Sequence, residues 1–95
     1  MIEFQFSGEV VRYQGDKAAW YFVTLQPDLA AEINRFSAGL KGGWGSVKVD
    51  VTIGATSWRT SIFPSDDSYV LPVKAAVRKA EGLDHGSAVD VTLSI

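Results

Sequence analysis

The sequence predicts a mainly β domain, a small β-barrel of about six strands with two short helices. Apolar residues alternate with polar ones in several short runs, which is the period of β-strands. Glycines and polar clusters separate these runs, and Pro27 and Pro72 each precede a stretch with helical spacing. Many short strands joined by glycine-rich turns favour a barrel, because a closed sheet has no free edge.

Composition indicates one globular domain over residues 1–95. The chain is 46% hydrophobic and 21% charged, as ordinary globular proteins are. It contains no cysteine, which excludes disulfides and thiolate metal sites. The first residues alternate like a strand rather than forming a signal peptide, and no apolar run reaches the roughly 20 residues of a membrane span. We therefore expect a cytoplasmic protein with no membrane partner.

The first strand is predicted over Ile2–Val10, where apolar residues alternate with polar ones. Gly8 interrupts the apolar row and indicates a bulge or a sharp bend. A polar turn over Tyr13–Lys17 follows. The second strand, Ala19–Leu25, is apolar on both faces, so we expect a subunit contact or a covering helix there. A monomer and a homodimer are both compatible with this pattern.

A helix is predicted from Pro27, with Gly39 at its end, because proline at the first helical position loses no hydrogen bond. The clearest alternation in the chain predicts a strand over Val47–Ile53. Gly54 and Ala55 then turn the chain into a hairpin partner over Thr56–Phe63.

The last elements are predicted from prolines and glycines. Pro64 is expected to stop the preceding strand, and Tyr69–Leu71 to form a brief strand. Pro72 is expected to begin a helix through Ala80, with Gly82 just past its end. A final strand is predicted over Val89–Ile95.

No catalytic, metal-binding or cofactor-binding motif is present. His85 is the only histidine and is predicted to be a solvated turn residue, with nothing to mark it as a general base. Asp66 and Asp67 lack the spaced ligands of a calcium loop and predict an acidic turn. The glycines between positions 39 and 45 fit no phosphate-binding fingerprint. We predict no cofactor.

Three basic residues form the first candidate site. Lys74 and Arg78 are four residues apart, so they share a face of the predicted second helix. One interpretation is a solvated helix face with Glu81 as a local partner. The other is that Arg59, Lys74 and Arg78 converge on an anionic ligand or an acidic partner surface.

Large aromatic residues form the second candidate site. The large rings of this short chain are those of Trp20, Tyr21, Trp44, Trp58, Phe63 and Tyr69. Exposed rings on a barrel would make a stacking platform for single-stranded nucleic acid or a sugar, and Trp44, Trp58 and Tyr69 are the members we assign to it. The alternative is that the rings pack in the core.

Four ordered motifs carry a family resemblance over nearly the whole chain. They are Trp20–Leu25, Gly43–Val49, Ile53–Pro64 and Tyr69–Arg78. In these motifs the chain resembles the bacterial and archaeal family of domains of unknown function numbered nineteen-oh-five. The resemblance implies a double-split β-barrel, a fold related to that of AbrB-like and MazE-like DNA-binding regulators. Two positions depart from the family pattern: Ala55 stands for a frequent glycine, and Ser87 for the usual aspartate.

The leading functional hypothesis is a non-enzymatic binding or interaction module whose partner is a small ligand or a protein. The resemblance makes an AbrB-like DNA-binding regulator the nearest alternative, but the net charge of −2 disfavours nucleic acid. A third hypothesis is an enzyme or binder that uses Arg59, Lys74 and Asp67 on a small anionic molecule. The family offers no established activity that would decide among them.

Overall fold

The computed structural model describes residues 2–39 and 45–95. Within these residues the chain forms six strands and two helices. They are β1 (Glu3–Gln14), β2 (Ala19–Thr24), α1 (Pro27–Phe36), β3 (Val47–Ile53), β4 (Thr56–Ser65), β5 (Ser68–Pro72), α2 (Ala75–Glu81) and β6 (Ala88–Ser94).

The six strands close into a barrel in the order β1-β2-β5-β4-β3-β6. All neighbouring strands pair antiparallel. The predicted fold, a mainly β barrel with two short helices, is therefore confirmed.

Two long strands belong to both halves of the barrel. Residues Glu3–Glu9 of β1 pair with β6, whereas Val10–Gln14 pair with β2. In β4, Thr56–Ile62 pair with β3 and Phe63–Ser65 pair with β5. The barrel thus consists of a first sheet (the start of β1, β6, β3 and the start of β4) and a second sheet (the end of β1, β2, β5 and the end of β4).

The core lies inside the barrel, where alternate residues of both sheets point inward. It is built mainly of valine, leucine and isoleucine, which pack well on a pleated surface. The fully buried members include Val10, Val23, Val47, Val49, Val51, Ile62, Leu71, Val91 and Leu93.

Both helices pack against strands of the barrel. From α1, Phe36 contacts Phe4 of β1, with 6.4 Å between ring centroids. Its Asn34 accepts a hydrogen bond from the Tyr69 hydroxyl of β5. From α2, Glu81 accepts a hydrogen bond from the Thr56 hydroxyl of β4. No helix in the described ranges is long and apolar enough to cross a membrane.

The first strand is longer than predicted, and Gly8 has a different role. Its pairing with Val89 continues in register with its neighbours, so the predicted bulge is wrong. A Cβ atom at Gly8 would lie 2.6 Å from a methyl group of Val23, which shows that glycine is needed for close packing. The strand then continues to Gln14 because it pairs with β2, although the apolar residues have changed face.

The two predicted proline boundaries are wrong because each proline lies within a strand and pairs with a neighbouring strand. Pro64 pairs with Tyr69 inside β4, one step from the turn-closing pair of Ser65 and Ser68. Because bonded and non-bonded pairs alternate, the proline nitrogen points away from β5 and needs no hydrogen. Pro72 is the last residue of β5, not the first of a helix, and pairs with Phe22.

The β3–β4 hairpin explains one departure from the family pattern. Gly54 has a φ of 59°, whereas Ala55 is not among the residues with positive φ. This is the requirement of a type II′ turn, which needs glycine only at its first central position. The alanine at position 55 is therefore tolerated.

Candidate functional site

The predicted basic residue on β4 has a local partner. Arg59 points outward from the first sheet, opposite Asp50 of β3. Its guanidinium Nη1 lies 3.1 Å from the Asp50 Oδ2, with side-chain exposures of 62% and 51%. An ion pair this exposed contributes less than about 1 kcal/mol, because water screens both charges.

The other two basic residues belong to α2 and its N-terminus. The Arg78 guanidinium lies over the Tyr21 ring, 3.6 Å from its centroid, and Nε donates to the carbonyl of Val73 at 3.2 Å. Lys74 precedes the helix as its exposed N-cap residue. The predicted pairing of Arg78 with Glu81 is replaced by these contacts.

The three basic residues do not share a cleft. The polar cleft beside Arg59 is lined by residues of β1, β3, β4 and β6, and neither Lys74 nor Arg78 lines it. Arg78 instead packs against β2 of the second sheet. The hypothesis that these side chains converge gains no geometric support.

Two of the predicted surface aromatics point toward the core. Tyr69 is 4% exposed, so its assignment to an aromatic surface is wrong. Its hydroxyl donates to the Asn34 Oδ1 at 3.3 Å, which satisfies the polar end of the buried ring. Trp58 is half-buried and packs against the core, and Trp44 lies outside the described residues.

A groove on the outside of the second sheet was not identified from the sequence as a site. Outward residues of β1, β2, β5 and β4 form cross-strand rows: Tyr13 faces Trp20, Val11 faces Phe22, and Phe63 faces Val70. We call the resulting depression the outer groove. Its lining consists of Val11, Tyr13, Trp20, Phe22, Thr24, Phe63, Pro64, Ser65, Val70 and Pro72.

The outer groove is concave and apolar. Its volume is about 690 Å³. Phe22, Val70 and Pro72 form a half-buried floor, while Tyr13 and Trp20 stand at one end with exposures of 66% and 57%. Large rings exposed to this degree beside one another indicate a contact surface.

The outer face of the first sheet has the opposite character. Its clefts are lined mostly by hydroxyl, amide and charged side chains. They include Glu3, Gln5, Ser7, Asp50, Thr52, Ser57, Arg59, Asp90, Thr92 and Ser94. The same barrel therefore has one polar and one apolar outer face, and only the polar face follows the usual pattern for a sheet in contact with water.

The polar side-chain groups of the outer groove are few, and each of them can donate a hydrogen bond. They are the Tyr13 hydroxyl, the Trp20 Nε1 and the hydroxyls of Thr24 and Ser65, which have no hydrogen-bond partner within the described ranges. Among the described residues that line the groove, none has a charged side chain. A partner would thus meet rings, methyl groups and uncharged donors.

An acidic turn lies at one end of the outer groove. Asp66 and Asp67 connect Ser65 to Ser68, and both are exposed. They line a shallow depression that shares Pro64 with the outer groove. Neither carboxylate has an ion-pair partner among the residues described.

His85 has a structural contact and no catalytic neighbours. Its Nδ1 accepts a hydrogen bond of 3.0 Å from the backbone N–H of Arg12, at the edge of β1. This contact places the ring proton on Nε2 when the imidazole is neutral. In the described part of the chain, no three histidine, aspartate or glutamate side chains are grouped to hold a metal ion.

A family model described as Domain of unknown function (DUF1905) matches residues 6–93. The chain belongs to the DUF1905 family. The match contains all six strands except residues 3–5 of β1 and Ser94 of β6, so it includes every residue of the outer groove. No curated protein matches the chain.

The second departure from the DUF1905 pattern is also explained by the structure. Ser87 precedes β6 where the family usually has aspartate. Its hydroxyl accepts a hydrogen bond of 2.9 Å from the Asp84 N–H, and its own N–H donates to the Asp84 carbonyl at 3.0 Å. Serine thus supplies the side-chain acceptor that closes this turn.

Proposed function

We propose that this DUF1905 domain is a non-enzymatic interaction module that binds a peptide segment of a partner protein in the outer groove. The observation that carries the proposal is the concave, uncharged and aromatic outer face of the second sheet. Contiguous apolar surface of this kind on a small protein marks a binding site more often than chance exposure.

The contrast between the two outer faces supports this proposal. On the first sheet, outward positions carry serine, threonine and charged residues, which suit a face in contact with water. On the second sheet, equivalent positions carry Val11, Trp20 and Phe63, each of which is exposed. Folding does not require these exposed apolar side chains, so binding is the better explanation for them.

The chemistry of the outer groove supports binding rather than catalysis. Among the described residues that line it, none offers a carboxylate, an imidazole or an amine. Acid–base and nucleophilic catalysis both need such groups beside the reacting atoms. Its hydroxyl and indole donors can orient a bound chain instead.

Selection from a phage-displayed library of random linear peptides tests the proposal. Peptides selected on the wild-type domain should lose at least about tenfold in affinity for a Trp20→Ser/Phe63→Ser double variant, since central aromatic residues dominate such interfaces. Phe36→Ser is the matched control, because Phe36 is an exposed phenylalanine of α1 outside the outer groove. Circular dichroism establishes that each variant is folded.

Two results would overturn the proposal. One is a set of selected peptides that bind the double variant as tightly as the wild type. The other is a selection that yields no specific peptide at all. Loss of binding in Phe36→Ser alone would place the binding surface on α1 instead.

The two alternatives from the sequence remain untested, and the described contacts do not favour them. A DNA-binding regulator or a binder of small anions needs available positive charge. Arg59 is paired with Asp50, and Arg78 is stacked on Tyr21. A gel shift at low salt tests the DNA alternative, for which an affinity that falls steeply with added salt would be evidence.

A further inference from the structure

We infer that the occupant of the outer groove is an extended, proline-rich peptide segment with a basic residue at the end that reaches Asp66 and Asp67. This inference rests on the proposed function and specifies its ligand. It follows from the pairing of the groove strands, the length of the groove, its polar atoms and the charge at one end.

The pairing of the strands excludes strand addition at β2 and β5, the two central strands of the outer groove. Each of these strands lies between hydrogen-bonded neighbours in the closed barrel. A peptide that adds to a sheet needs an unpaired strand edge. A partner that lies across β2 and β5 must therefore be recognised by side chains that project from the sheet.

The length of the outer groove suits about six residues of polyproline II helix. Trp20 and Thr24 are four residues apart on β2, which corresponds to about 14 Å. The groove also crosses three strand spacings from β1 to β4, again about 14 Å, so its diagonal from Tyr13 to Phe63 is about 20 Å. A polyproline II segment rises about 3.1 Å per residue.

The polar atoms of the outer groove match a proline-rich chain. Proline has a carbonyl acceptor but no N–H donor. The Tyr13 hydroxyl and the Trp20 Nε1 supply donors at the rim, between apolar surfaces on which proline rings can pack. Aromatic-lined grooves recognise polyproline II segments in this way, and the preformed helix limits the loss of entropy on binding.

A second copy of the chain fits the outer groove less well. In a two-fold dimer the same face of each copy would meet. Phe22, Val70 and Pro72 are half-buried between exposed rings, so two such concave faces brought directly together would leave a space between them. A void of that kind loses the contacts that stabilise an interface.

The acidic turn gives the peptide a direction. Asp66 and Asp67 are exposed, have no ion-pair partner in the described ranges, and line a depression that adjoins the outer groove at Pro64. An arginine or lysine that follows the proline residues would reach these carboxylates. Charge complementarity at an interface rim selects partners and orientation.

Fluorescence anisotropy with labelled synthetic peptides tests the inference. The probes are a hexaproline segment with arginine at its first or last position, the same segment with glutamate in place of arginine, and a glycine–serine segment of equal length with arginine. One of the two arginine–proline peptides should bind at least about tenfold more tightly than the glycine–serine peptide. Glutamate should weaken binding relative to arginine.

Matched variants test whether the peptide binds in the outer groove and whether its arginine contacts the acidic turn. Trp20→Ser should weaken the preferred peptide at least about tenfold, and Phe36→Ser should not change it. Asp66→Asn/Asp67→Asn should remove the preference for arginine, because asparagine keeps the turn but not the charge. Asp28→Asn/Glu32→Gln removes the same number of charges from exposed positions of α1 and should have no effect.

Equal affinity for the glycine–serine peptide, or unchanged binding by Trp20→Ser, would overturn the inference. So would sedimentation equilibrium that shows a dimer disrupted by Trp20→Ser, since the occupant would then be a second copy. If display-selected peptides depend on the outer groove while the proline peptides do not bind, this inference fails and the proposed function stands. If no peptide depends on the outer groove, both fail.

Discussion

At the scale of single residues, Gly8 shows how the absence of a side chain allows the barrel to close. It lies two residues before Val10, where β1 changes its partner from β6 to β2. A methyl group of Val23 in β2 packs against Gly8 so closely that it would clash with a Cβ atom at this position. Any larger residue requires the Val23 side chain or its strand to shift.

Gly8→Ala should therefore lower the free energy of unfolding by about 1–3 kcal/mol, the usual cost of an overpacked core. Urea denaturation followed by circular dichroism measures the change. Gly39→Ala is the control, because a Cβ at Gly39 has no neighbour within 4 Å. Equal denaturation midpoints for the two variants would contradict this role of Gly8.

At the scale of elements, α2 depends on a few side-chain contacts because it has only seven residues. Isolated helices of that length are unstable in water. Arg78 contacts Tyr21 of β2 and the carbonyl of Val73, while Glu81 binds the hydroxyl of Thr56 in β4. The helix is thus held to both sheets.

Arg78→Ala should lower stability by about 1–2 kcal/mol, since it removes a cation–π contact and a hydrogen bond. Arg59→Ala should lower it by less than about 1 kcal/mol, because its ion pair is exposed. Denaturant titration compares the two variants, and hydrogen exchange should show faster opening of α2 in Arg78→Ala. The opposite order of stabilities would mean that Arg78 is not the anchor of α2.

The elements also show what could be predicted from the sequence and what could not. The alternation of Val47–Ile53 and the glycines at positions 54 and 82 correctly predicted β3, its turn and the end of α2. The extension of β1 to Gln14 could not be predicted, because its apolar residues change face where the strand changes partner. The residues around Pro72 do not distinguish the end of a strand from the start of a helix. Only its pairing with Phe22 shows that Pro72 ends β5.

At the scale of the whole molecule, the outer groove depends on the order of the strands. Tyr13 and Trp20 come from the consecutive strands β1 and β2, whereas Phe63 comes from β4, much later in the chain, and the order β1-β2-β5-β4 brings all three to one face. The two-sided apolar pattern of β2 pointed to a contact surface. Its other members could not be predicted, since local patterns do not contain strand order.

Iodide quenching of tryptophan fluorescence tests which tryptophan side chains face solvent and which face the core. Trp20 is 57% exposed, whereas Trp58 packs against the core. Trp20→Phe should therefore lower the quenching constant of the protein, and Trp58→Phe should raise it by removing a shielded fluorophore. If the two substitutions change quenching in the same direction, the orientation of β2 or β4 is not as described.

The position of β6 has a consequence for biosynthesis. This strand lies between β1 and β3, which come from earlier parts of the domain, and it is the last of the six barrel strands to be made. Until Ala88–Ser94 leave the ribosome, β1 and β3 each have an open edge that can pair with other chains. The barrel can close only after translation of its final strand, so a nascent chain of this domain exposes these two strand edges until that point.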